Sequence, residues 1–302
     1  MWSNWSGEQT CAPALEVRAR NVLEVQEAVA RARDGGFGLR VAGAGHSFTP
    51  AVLTEGVLVH LDGLTGVLDA DPSSGLVRFA AGTTIREASE ALDRLGLAFE
   101  NLGDVNVQTL AGATATATHG TGGALANISA QLEEVEVVGA DGMLRRCGAT
   151  EDADAWRAAR VSVGALGVVT AVTVRAVPAF TLRRVDAPEP LDDVLDALDE
   201  RVAGAPHFEL FTFPYTKVAL TRTSHREDGP PRPPGRLGRW VEDVAVNNHV
   251  LGLVSGLGRR VPPLIPALNR AVTRAAGGAV RVDRSDRCFA SPRLVRFTEM
   301  EY

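Results

Sequence analysis

The sequence predicts an α+β fold of two domains, and three observations support this prediction. The 302 residues suffice for about two domains of ordinary size. Up to residue 178, stretches with helical periodicity alternate with short apolar runs typical of strands. After Pro178 the pattern changes to one long helical stretch followed by alternating strands. We therefore expect one domain over residues 1–178 and a second over residues 179–302.

Composition and charge exclude several classes of protein. Hydrophobic residues make up 45% and charged residues 23% of the chain, as in folded soluble proteins. A net charge of -6 predicts neither a nucleic-acid nor a membrane partner. Cys11, Cys147 and Cys288 are scattered without metal spacing, which predicts ordinary thiols in a reducing compartment and no metal site. The start lacks the features of a signal peptide and no apolar run could span a bilayer, so we expect a cytoplasmic protein.

The first elements are an arm and a helix. Trp2 and Trp5 lie in an otherwise polar start and indicate an N-terminal arm that packs on the body of the protein. A helix is expected to begin after the capping residue Asn21, with Glu24 three residues later, and to end at Gly35. Its predicted apolar face consists of Val22, Val25, Ala28, Val29 and Ala32.

Two further strands and a second helix follow. Residues 57–61 and 76–80 have strand character, and residues 69–75 between them consist of turn-forming types. Thr84 and Glu87 form a capping box for a helix that Gly96 closes. The apolar residues of this helix are Ile85, Ala88, Leu92 and Leu95.

Residues 38–50, GLRVAGAGHSFTP, indicate a binding turn at the end of a strand. A short apolar run at residues 39–42 predicts a buried strand, and Gly43, Ala44 and Gly45 follow it. Glycines allow a tight turn that exposes backbone N–H groups to an anion. His46 and Ser47 come next, so the strand would deliver a nucleophilic ring to the edge of a bound nucleotide.

Residues 103–123 contain almost no large side chain after Leu110. Small residues allow the backbone to approach something flat or bulky, and hydroxyls and a histidine occur in the same segment, which favours a ligand site. The alternative is a strand pair of small residues in a tight core. Residues 132–138 and 143–146 then predict a β-hairpin around Asp141 and Gly142. Another small-residue turn, residues 164–167, leads into a β-rich run that ends at Pro178.

The part after Pro178 is expected to begin with a helix over residues 186–203. Its apolar face would consist of Leu191, Val194, Leu195, Leu198 and Val202. Residues 208–223 alternate like strands around Pro214, residues 226–238 predict an exposed loop, and helical or turn-rich sequence continues to Arg274. The strand-like residues 296–302 stop in mid-pattern, from which we expect a chain truncated at its C-terminus.

Two common nucleotide motifs do not fit. A GxGxxG dinucleotide fingerprint beginning at Gly43 would need glycine where Phe48 stands, and Pro50 follows. No GK[ST] phosphate-binding loop occurs anywhere. The small-residue segments near residues 43, 112 and 164 instead suggest one long ligand that contacts all of them.

The motifs together identify a family resemblance. They are NWSG at residues 4–7, AGAGHSF at 42–48, GD at 103–104 with QTLAG at 108–112, TATHGTG at 116–122, and GALGVV at 164–169. In this order they resemble the FAD-dependent sugar-alcohol and aldonolactone oxidases, which have a p-cresol-methylhydroxylase-type FAD-binding domain. The resemblance implies two α/β subdomains that bind FAD over residues 1–178 and an α+β substrate (cap) domain over residues 179–302.

The resemblance implies a covalent flavin attached to His46. In family members with this histidine, a ring nitrogen bonds the 8α methyl group of the flavin, and a neutral imidazole is a competent nucleophile near neutral pH. The alternative is a hydrogen-bonded structural histidine. Further cofactor-binding positions implied by the resemblance are Ala42, Gly43, Ala44, Gly45, Ser47, Asp104, Thr109, Gly112, Thr116, Ala117, Thr118, His119, Val168 and Val169. For His119, ordering of its own turn is an equal alternative, and a small residue at Gly103 favours an oxidase by leaving dioxygen a path.

The implied reaction is oxidation of a CH–OH group of a sugar alcohol or aldonolactone, with hydride transfer to flavin N5 and dioxygen or another acceptor as oxidant. Substrate-binding groups in the family, a Glu-x-Arg pair with a His and a Lys, follow the point that EMEY at residues 299–302 resembles. We therefore assign no catalytic residue, and interpret Arg296, Glu299 and Glu301 as strand surface or packing. The second hypothesis is a shortened FAD-binding protein without turnover, and a third is a Rossmann NAD enzyme.

Overall fold

The computed structural model describes residues 1–235, 238, 240 and 248–291, and its mixture of sheets and helices is the predicted α+β class. The N-terminal arm pairs two short antiparallel strands, β1 (Trp2–Ser3) and β2 (Thr10–Cys11). A parallel sheet follows, with β3 (Leu15–Arg18) and β4 (Leu39–Ala42) on either side of β5 (Val57–His60). Every residue of β5 is buried, as expected for the central strand of a covered parallel sheet.

The first helix, α1 (Val22–Asp34), forms as the sequence predicts. The Asn21 side chain accepts a hydrogen bond from the Glu24 amide, and Gly35 is the C-cap. Four of the five predicted apolar-face residues are buried, namely Val25, Ala28, Val29 and Ala32. The helix crosses from β3 to β4 and thereby allows these strands to lie parallel to β5.

The second sheet is antiparallel, in the order β10-β9-β11-β7-β6. Its strands are β6 (Val67–Asp71), β7 (Leu76–Ala80), β9 (Leu132–Val138), β10 (Leu144–Gly148) and β11 (Val168–Arg175). The turn predicted over residues 69–75 is wrong in its first part, because residues 69–71 pair with β7. β6 is an edge strand with mostly exposed residues, so it lacks the apolar alternation by which a strand is recognised. The hairpin of β9 and β10 is confirmed.

Three helices pack around this sheet. They are α2 (Ile85–Arg94), α3 (Leu110–Ala115) and α4 (Ala153–Arg160). The capping box of α2 is present as predicted, and Gly96 after it has φ +73°. The sequence did not predict α4, whose N-cap Asp152 has a left-handed conformation. Two short strands, β8 (Leu97–Ala98) and β12 (Val177–Pro178), pair at the end of this region.

One apolar core connects the two sheets. It contains residues from α1, β5, β7, α2, β9 and β11, and Phe79, Phe99, Leu61 and Leu92 are among its largest fully buried side chains. Leu182 and Phe289, which lie beyond Pro178, belong to the same cluster. The region after Pro178 therefore packs directly on the part before it.

A four-stranded antiparallel sheet forms the region after Pro178. Its order is β14-β15-β13-β16, with β13 (Thr181–Pro190), β14 (His207–Thr212), β15 (Val218–Glu227) and β16 (Ala279–Arg284). The strands expected around Pro214 are thus present. We call this sheet the cap sheet.

The helix predicted over residues 186–203 is wrong in extent. Residues 186–190 belong to β13 and pair with β15, and only then follow α5 (Leu191–Asp196) and α6 (Leu198–Gly204). Pro188 and Pro190 explain the difference, because proline disfavours a helical conformation in the residue before it. Of the predicted apolar face, Val194 is buried, whereas Leu195 and Val202 are exposed.

The remaining described elements are helical and follow the cap-sheet hairpin. They are α7 (Leu251–Arg260), α8 (Ile265–Ala275) and α9 (Ser285–Phe289). The loop predicted over residues 226–238 begins two residues later, because Arg226 and Glu227 complete β15, and residues 228–235 are mostly exposed. The predicted terminal strand over residues 296–302 lies outside the described residues.

Three further observations concern the described part of the chain. Cys11, Cys147 and Cys288 are free thiols. Within the described ranges, the helices are all too short or too polar to cross a bilayer, and no group of three or more His, Cys, Asp or Glu side chains could hold a metal ion.

The capping box of α2 makes a stability prediction. Thr84→Ala removes the cap and should lower the free energy of unfolding by about 1 kcal/mol at pH 7. Hydrogen bonds from the Thr84 backbone and side chain hold the pKa of Glu87 below its ordinary value of 4.5. A carboxyl group whose pKa is lower in the folded state than in the unfolded state stabilises the fold at higher pH, and this stabilisation is lost as the pH falls through the folded pKa. The difference in the free energy of unfolding between variant and parent should therefore shrink in acid. Urea denaturation at several pH values measures this difference.

Glu90→Gln is the matched control, because Glu90 is an exposed carboxylate of the same helix outside the capping box. It should leave the free energy of unfolding nearly unchanged at each pH. Equal losses in Thr84→Ala and Glu90→Gln would contradict the prediction.

Candidate functional site

A pocket of about 200 Å³ lies where three segments meet. The first segment is the turn after β4, the second contains the start of α3, and the third is the turn before β11. The lining residues are Arg40, Val41, Gly43, Ala44, Gly45, His46, Ser47, Ala51, Val52, Leu61, Gln108, Thr109, Ala111, Gly112, Ala115, Thr116, Ser162, Val163, Gly164, Gly167 and Val169. The three glycine-containing segments singled out by the sequence therefore contribute to one cavity.

Gly43 and Thr109 hold the first two segments together. A Cβ atom added to Gly43 would lie 2.4 Å from Oγ1 of Thr109, which only glycine tolerates. The same Thr109 hydroxyl caps α3, because it accepts a hydrogen bond from the Gly112 amide at 3.1 Å. The close approach of Gly43 thus depends on a side chain that also fixes the start of the helix.

The N-terminal arm holds the other end of the first turn. The Trp5 amide donates to the Gly45 carbonyl at 2.7 Å, and Nδ2 of Asn4 donates to the Ser47 carbonyl at 3.0 Å. Oδ1 of Asn4 accepts from the amides of Gly7 and Gln9, which closes the arm on itself. Gly45 has φ +71°, a conformation that glycine adopts without strain. The arm packs on the body as the tryptophans predicted.

His46 is half-buried beneath this arm and lines the pocket. Its ring stacks on Trp5, with 4.8 Å between the ring centroids and 25° between the planes. Burial lowers the pKa of His46 below its ordinary value of 6.5 because the charged form loses hydration. The imidazole is therefore neutral at pH 7, which is the form that carries a free electron pair on a ring nitrogen.

The third segment has an unusual backbone. Val163 has φ +49°, which is rare for a β-branched residue and costs on the order of 1–3 kcal/mol. Its amide donates to the Ala115 carbonyl at the end of α3, at 3.1 Å. Gly167 has φ +135°, and a Cβ there would lie 2.2 Å from the Val138 carbonyl oxygen. The turn is therefore held against both α3 and β9.

The rest of the small-residue segment packs against itself. A Cβ on Gly103 would lie 2.9 Å from the His119 carbonyl oxygen, and one on Gly120 would lie 2.1 Å from the Leu102 carbonyl oxygen. The strand pair considered from the sequence is wrong, since the segment contains α3 and irregular chain. Its small residues serve two purposes: residues 108–116 line the pocket and the flanking glycines permit close packing.

The structure brings most of the sequence-predicted site residues to this pocket. Nine line it, namely Gly43, Ala44, Gly45, His46, Ser47, Thr109, Gly112, Thr116 and Val169. Ala42 and Val168 are buried next to lining residues in the chain. Asp104, Ala117, Thr118 and His119 do not line it. His119 is exposed, and its Nδ1 lies 3.2 Å from the Gly120 carbonyl oxygen, which agrees with a role in ordering its own turn.

Sequence reasoning did not name Gln108, Ser162 and Val163 as site residues. The Gln108 Oε1 atom is buried at the pocket and has no hydrogen-bond partner among the described residues, while its Nε2 lies 3.5 Å from Oγ1 of Thr118. A buried acceptor without a donor is costly, which marks Gln108 as a group that a ligand could satisfy. Its place directly before Thr109 was the available signal. No sequence signal marks the strained turn at Val163.

Two family models match the chain. The description of the first is "FAD binding domain", and it matches residues 13–148. The second, described as "D-arabinono-1,4-lactone oxidase", matches residues 172–302. The pocket lining falls largely within the first match, and the cap sheet falls within the second.

Curated relatives carry related names. The L-gulono-1,4-lactone dehydrogenase of Mycobacterium tuberculosis is 45% identical over 305 residues, which cover 100% of this chain and 70% of that protein. The L-gulonolactone oxidase of Mus musculus is 30% identical over 270 residues, covering 89% of this chain and 60% of that protein. The D-arabinono-1,4-lactone oxidase of Yarrowia lipolytica is 31% identical over 244 residues, covering 78% and 46%.

Solved structures share the fold at low identity. Cholesterol oxidase from Brevibacterium sterolicum superimposes with a TM-score of 0.78 at 18% identity, covering 98% of this chain and 61% of that one. A BBE-like protein from Physcomitrella patens gives a TM-score of 0.62 at 20% identity, covering 70% and 49%. These likenesses establish the arrangement of sheets and helices.

The stacking of Trp5 on His46 makes a testable prediction. Trp5→Leu should hydrate the imidazole and raise the pKa of His46 toward 6.5, because burial is what lowers it. Histidine NMR titration of the FAD-free protein measures this pKa, with the resonance assigned by its loss in His46→Ala. Trp156→Leu is the control, since Trp156 packs under Arg160 on α4. If the His46 pKa is the same in Trp5→Leu and Trp156→Leu, the stacking does not determine it.

Proposed function

Because the chain belongs to the aldonolactone oxidase family, in the superfamily with a p-cresol-methylhydroxylase-type FAD-binding domain, we propose that it oxidises a CH–OH group of an aldonolactone or related sugar alcohol with FAD as cofactor. The observation that carries the proposal is the single pocket formed by the turn after β4, the start of α3 and the turn before β11. We further propose that residues 1–178 form the FAD-binding domain and residues 179–302 the substrate domain.

The pocket residues fit FAD by their chemistry. The glycine-rich turn of residues 43–45 offers a backbone surface without side chains, which suits a pyrophosphate. The unsatisfied Oε1 of Gln108 offers an acceptor to a ligand N–H group. The apolar lining residues, among them Val52, Leu61 and Val169, suit flat aromatic rings. We propose that Ala42 to Ser47, Thr109, Gly112 and Thr116 hold the cofactor, with Val168 or Val169 near its adenine end.

When bound, FAD supplies the redox chemistry, because its N5 accepts a hydride from the hydroxyl-bearing carbon and dioxygen or another acceptor then takes the electrons. The protein has to align that carbon, exclude water and take up the hydroxyl proton. Asp104, Ala117, Thr118 and His119 do not line the pocket, so we propose that they support the cofactor-facing segment from behind. The strained turn at Val163 would fix the third wall.

We propose that His46 is the covalent attachment point. Its lowered pKa and its place in the pocket support this role, since a neutral imidazole is the nucleophilic form. In the tether a ring nitrogen replaces one hydrogen of the flavin 8α methyl group. The N–H hydrogen of the imidazole and one hydrogen of the methyl group leave as two protons and two electrons. The electrons go to the acceptor that oxidises the flavin. The stacked Trp5 ring would hold the imidazole in its orientation.

The identity of the electron acceptor is a separate proposal. We propose dioxygen, because in the family a small residue at the position of Gly103 favours an oxidase. The glycine also has a packing reason, namely the His119 carbonyl 2.9 Å from its added Cβ. The relative with 45% identity is named a dehydrogenase. We also propose a cytoplasmic location, which the three free thiols support.

The experiment is turnover by the purified chain. Aldonolactones and sugar alcohols are added under nitrogen, and flavin absorbance is followed before and after air or a dye acceptor is admitted. Bleaching by a substrate supports the proposal, and hydrogen peroxide on re-aeration supports an oxidase. A yellow protein that no substrate bleaches would favour the second candidate, an FAD-binding protein without turnover. We retain the candidate without turnover because the chain spans 70% of the mycobacterial relative and 60% of the murine one.

The covalent tether makes a prediction that needs no substrate. In acid-denatured protein, the yellow colour should remain with the parent polypeptide and wash away from His46→Ala. The variant should still bind FAD before denaturation, because backbone groups make most of the proposed pyrophosphate contacts. If acid releases the flavin from the parent chain as well, His46 is not a tether.

The contact of Gly43 with Thr109 makes a prediction for cofactor content. Gly43→Ala places a methyl group 2.4 Å from Oγ1 of Thr109, so Thr109 must move and the start of α3 with it. We expect the purified variant to contain little FAD, measured as the ratio of flavin absorbance to protein absorbance. Gly38→Ala is the control, because an added Cβ at Gly38 meets no atom within 4 Å. Equal FAD content in both variants would contradict the assigned site.

A further inference from the structure

The cap sheet has one face that is rich in charge. Glu209 on β14 is paired with Arg222 on β15, and Arg222 is paired with Asp186 on β13. Residues directly opposite each other in antiparallel strands extend their side chains to the same face. The three charged side chains therefore form a row across three strands, which we call the charged row.

The charged row is connected by ion pairs through Arg222. Its Nε lies 2.8 Å from Oδ1 of Asp186, and its Nη1 lies 2.8 Å from Oε1 of Glu209. Arg184, two positions before Asp186 on the same face, lies 2.9 Å from Oδ2 of Asp186. One arginine thus holds two carboxylates, and each carboxylate retains further acceptor capacity.

The charged row is largely withdrawn from solvent. The exposed fractions of the side chains are 17% for Arg222, 27% for Glu209 and 24% for Asp186. Burial raises the pKa of Glu209, and the nearby Asp104 charge acts in the same direction, while Arg222 opposes it. Charged groups in such a place cost free energy that apolar residues would not, so stability alone is a weak reason for them. A binding role explains them better.

The charged row also faces the segment that carries the proposed cofactor site. The Ser291 amide donates to the Asp104 carbonyl at 2.8 Å, and Oγ of Ser291 lies 3.5 Å from Nη1 of Arg222. Two positions before Glu209 on β14, His207 approaches the Thr121 carbonyl, with 3.0 Å between Nδ1 and the oxygen. The segment of residues 103–123 therefore has the cofactor pocket at residues 108–116 and the cap sheet at Asp104 and Thr121.

We propose that Glu209 and Arg222 bind hydroxyl groups of the substrate, with Asp186 holding the Arg222 guanidinium in place; this assignment rests on the proposed function. A carboxylate accepts hydrogen bonds from two neighbouring hydroxyls, and a guanidinium donates to hydroxyl or carbonyl oxygens. The charged row thus offers acceptors and donors side by side, which matches a ring or chain with several adjacent C–OH groups. Glu209 and Arg222 are binding residues for the polyhydroxylated part, and Asp186 is a positioning residue.

The opposite face of the same sheet provides a matched control. Glu189 on β13 extends to that face, where Arg201 of α6 binds it through two contacts of 3.0 and 2.7 Å. The Glu189 side chain is 29% exposed, close to the 27% of Glu209. Both glutamates make an arginine ion pair on the cap sheet, and they differ in the face on which they lie.

The test measures binding and turnover of L-gulono-1,4-lactone in the FAD-loaded chain and its Glu209→Gln, Arg222→Met and Glu189→Gln variants. Binding is followed by saturation-transfer NMR, and KM and kcat by dye reduction. We expect Glu209→Gln and Arg222→Met to weaken binding and raise KM roughly 10- to 100-fold, the loss of a charged hydrogen bond. Glu189→Gln should leave both unchanged. FAD content and circular dichroism verify that each variant is folded.

Four outcomes separate the assignments. Equal lactone binding in Glu209→Gln and Glu189→Gln, or no lactone binding by the folded parent, would overturn the site at the charged row. Lactone binding that is lost in Glu209→Gln but does not bleach the parent flavin would support the site and contradict the proposed reaction. Loss of kcat in Glu209→Gln with unchanged lactone binding would also overturn the site, because a binding residue acts on affinity.

Discussion

The contact between Gly43 and Thr109 is the constraint on which the site depends. An added Cβ at Gly43 would lie 2.4 Å from the Thr109 hydroxyl, and that hydroxyl caps α3. The backbone around Thr109 also joins the start of α2, since the Ile85 amide donates to the Gln108 carbonyl and the Leu110 amide donates to the Thr83 carbonyl. The turn of the parallel sheet is thereby fixed against helices of the antiparallel sheet. The pocket lies at this junction, so its shape follows from how the two sheets meet.

The N-terminal arm contributes the second constraint because it covers the histidine of the turn. Hydrogen bonds from the arm to Gly45 and Ser47 hold the backbone on both sides of His46, and Trp5 stacks on its ring. A ring that is half-buried in this way stays neutral at physiological pH. The arm, which Trp2 and Trp5 mark in the sequence, therefore covers and orients the proposed attachment residue.

Local signals explain which parts of the fold the sequence predicts. The caps at Asn21 and Thr84 are encoded within a few residues, and both helices form as expected. Residues 186–190 have helical spacing but lie in β13, because their pairing with β15 depends on residues about thirty positions away. For the site, glycines and hydroxyls marked the three segments. The orphaned Oε1 of Gln108 and the positive φ of Val163 follow from packing between segments, so neither is visible in sequence.

If one FAD molecule contacts all three segments around the pocket, FAD binding should slow amide hydrogen exchange in all of them. In His46→Ala the flavin would be removable, so that amide exchange can be compared by mass spectrometry with and without added FAD. We expect FAD to slow exchange together in residues 43–47, 109–116 and 163–169, the segments that line the cavity. FAD binding that leaves exchange in these three segments unchanged, or slows it in only one of them, would exclude a cofactor that contacts all three.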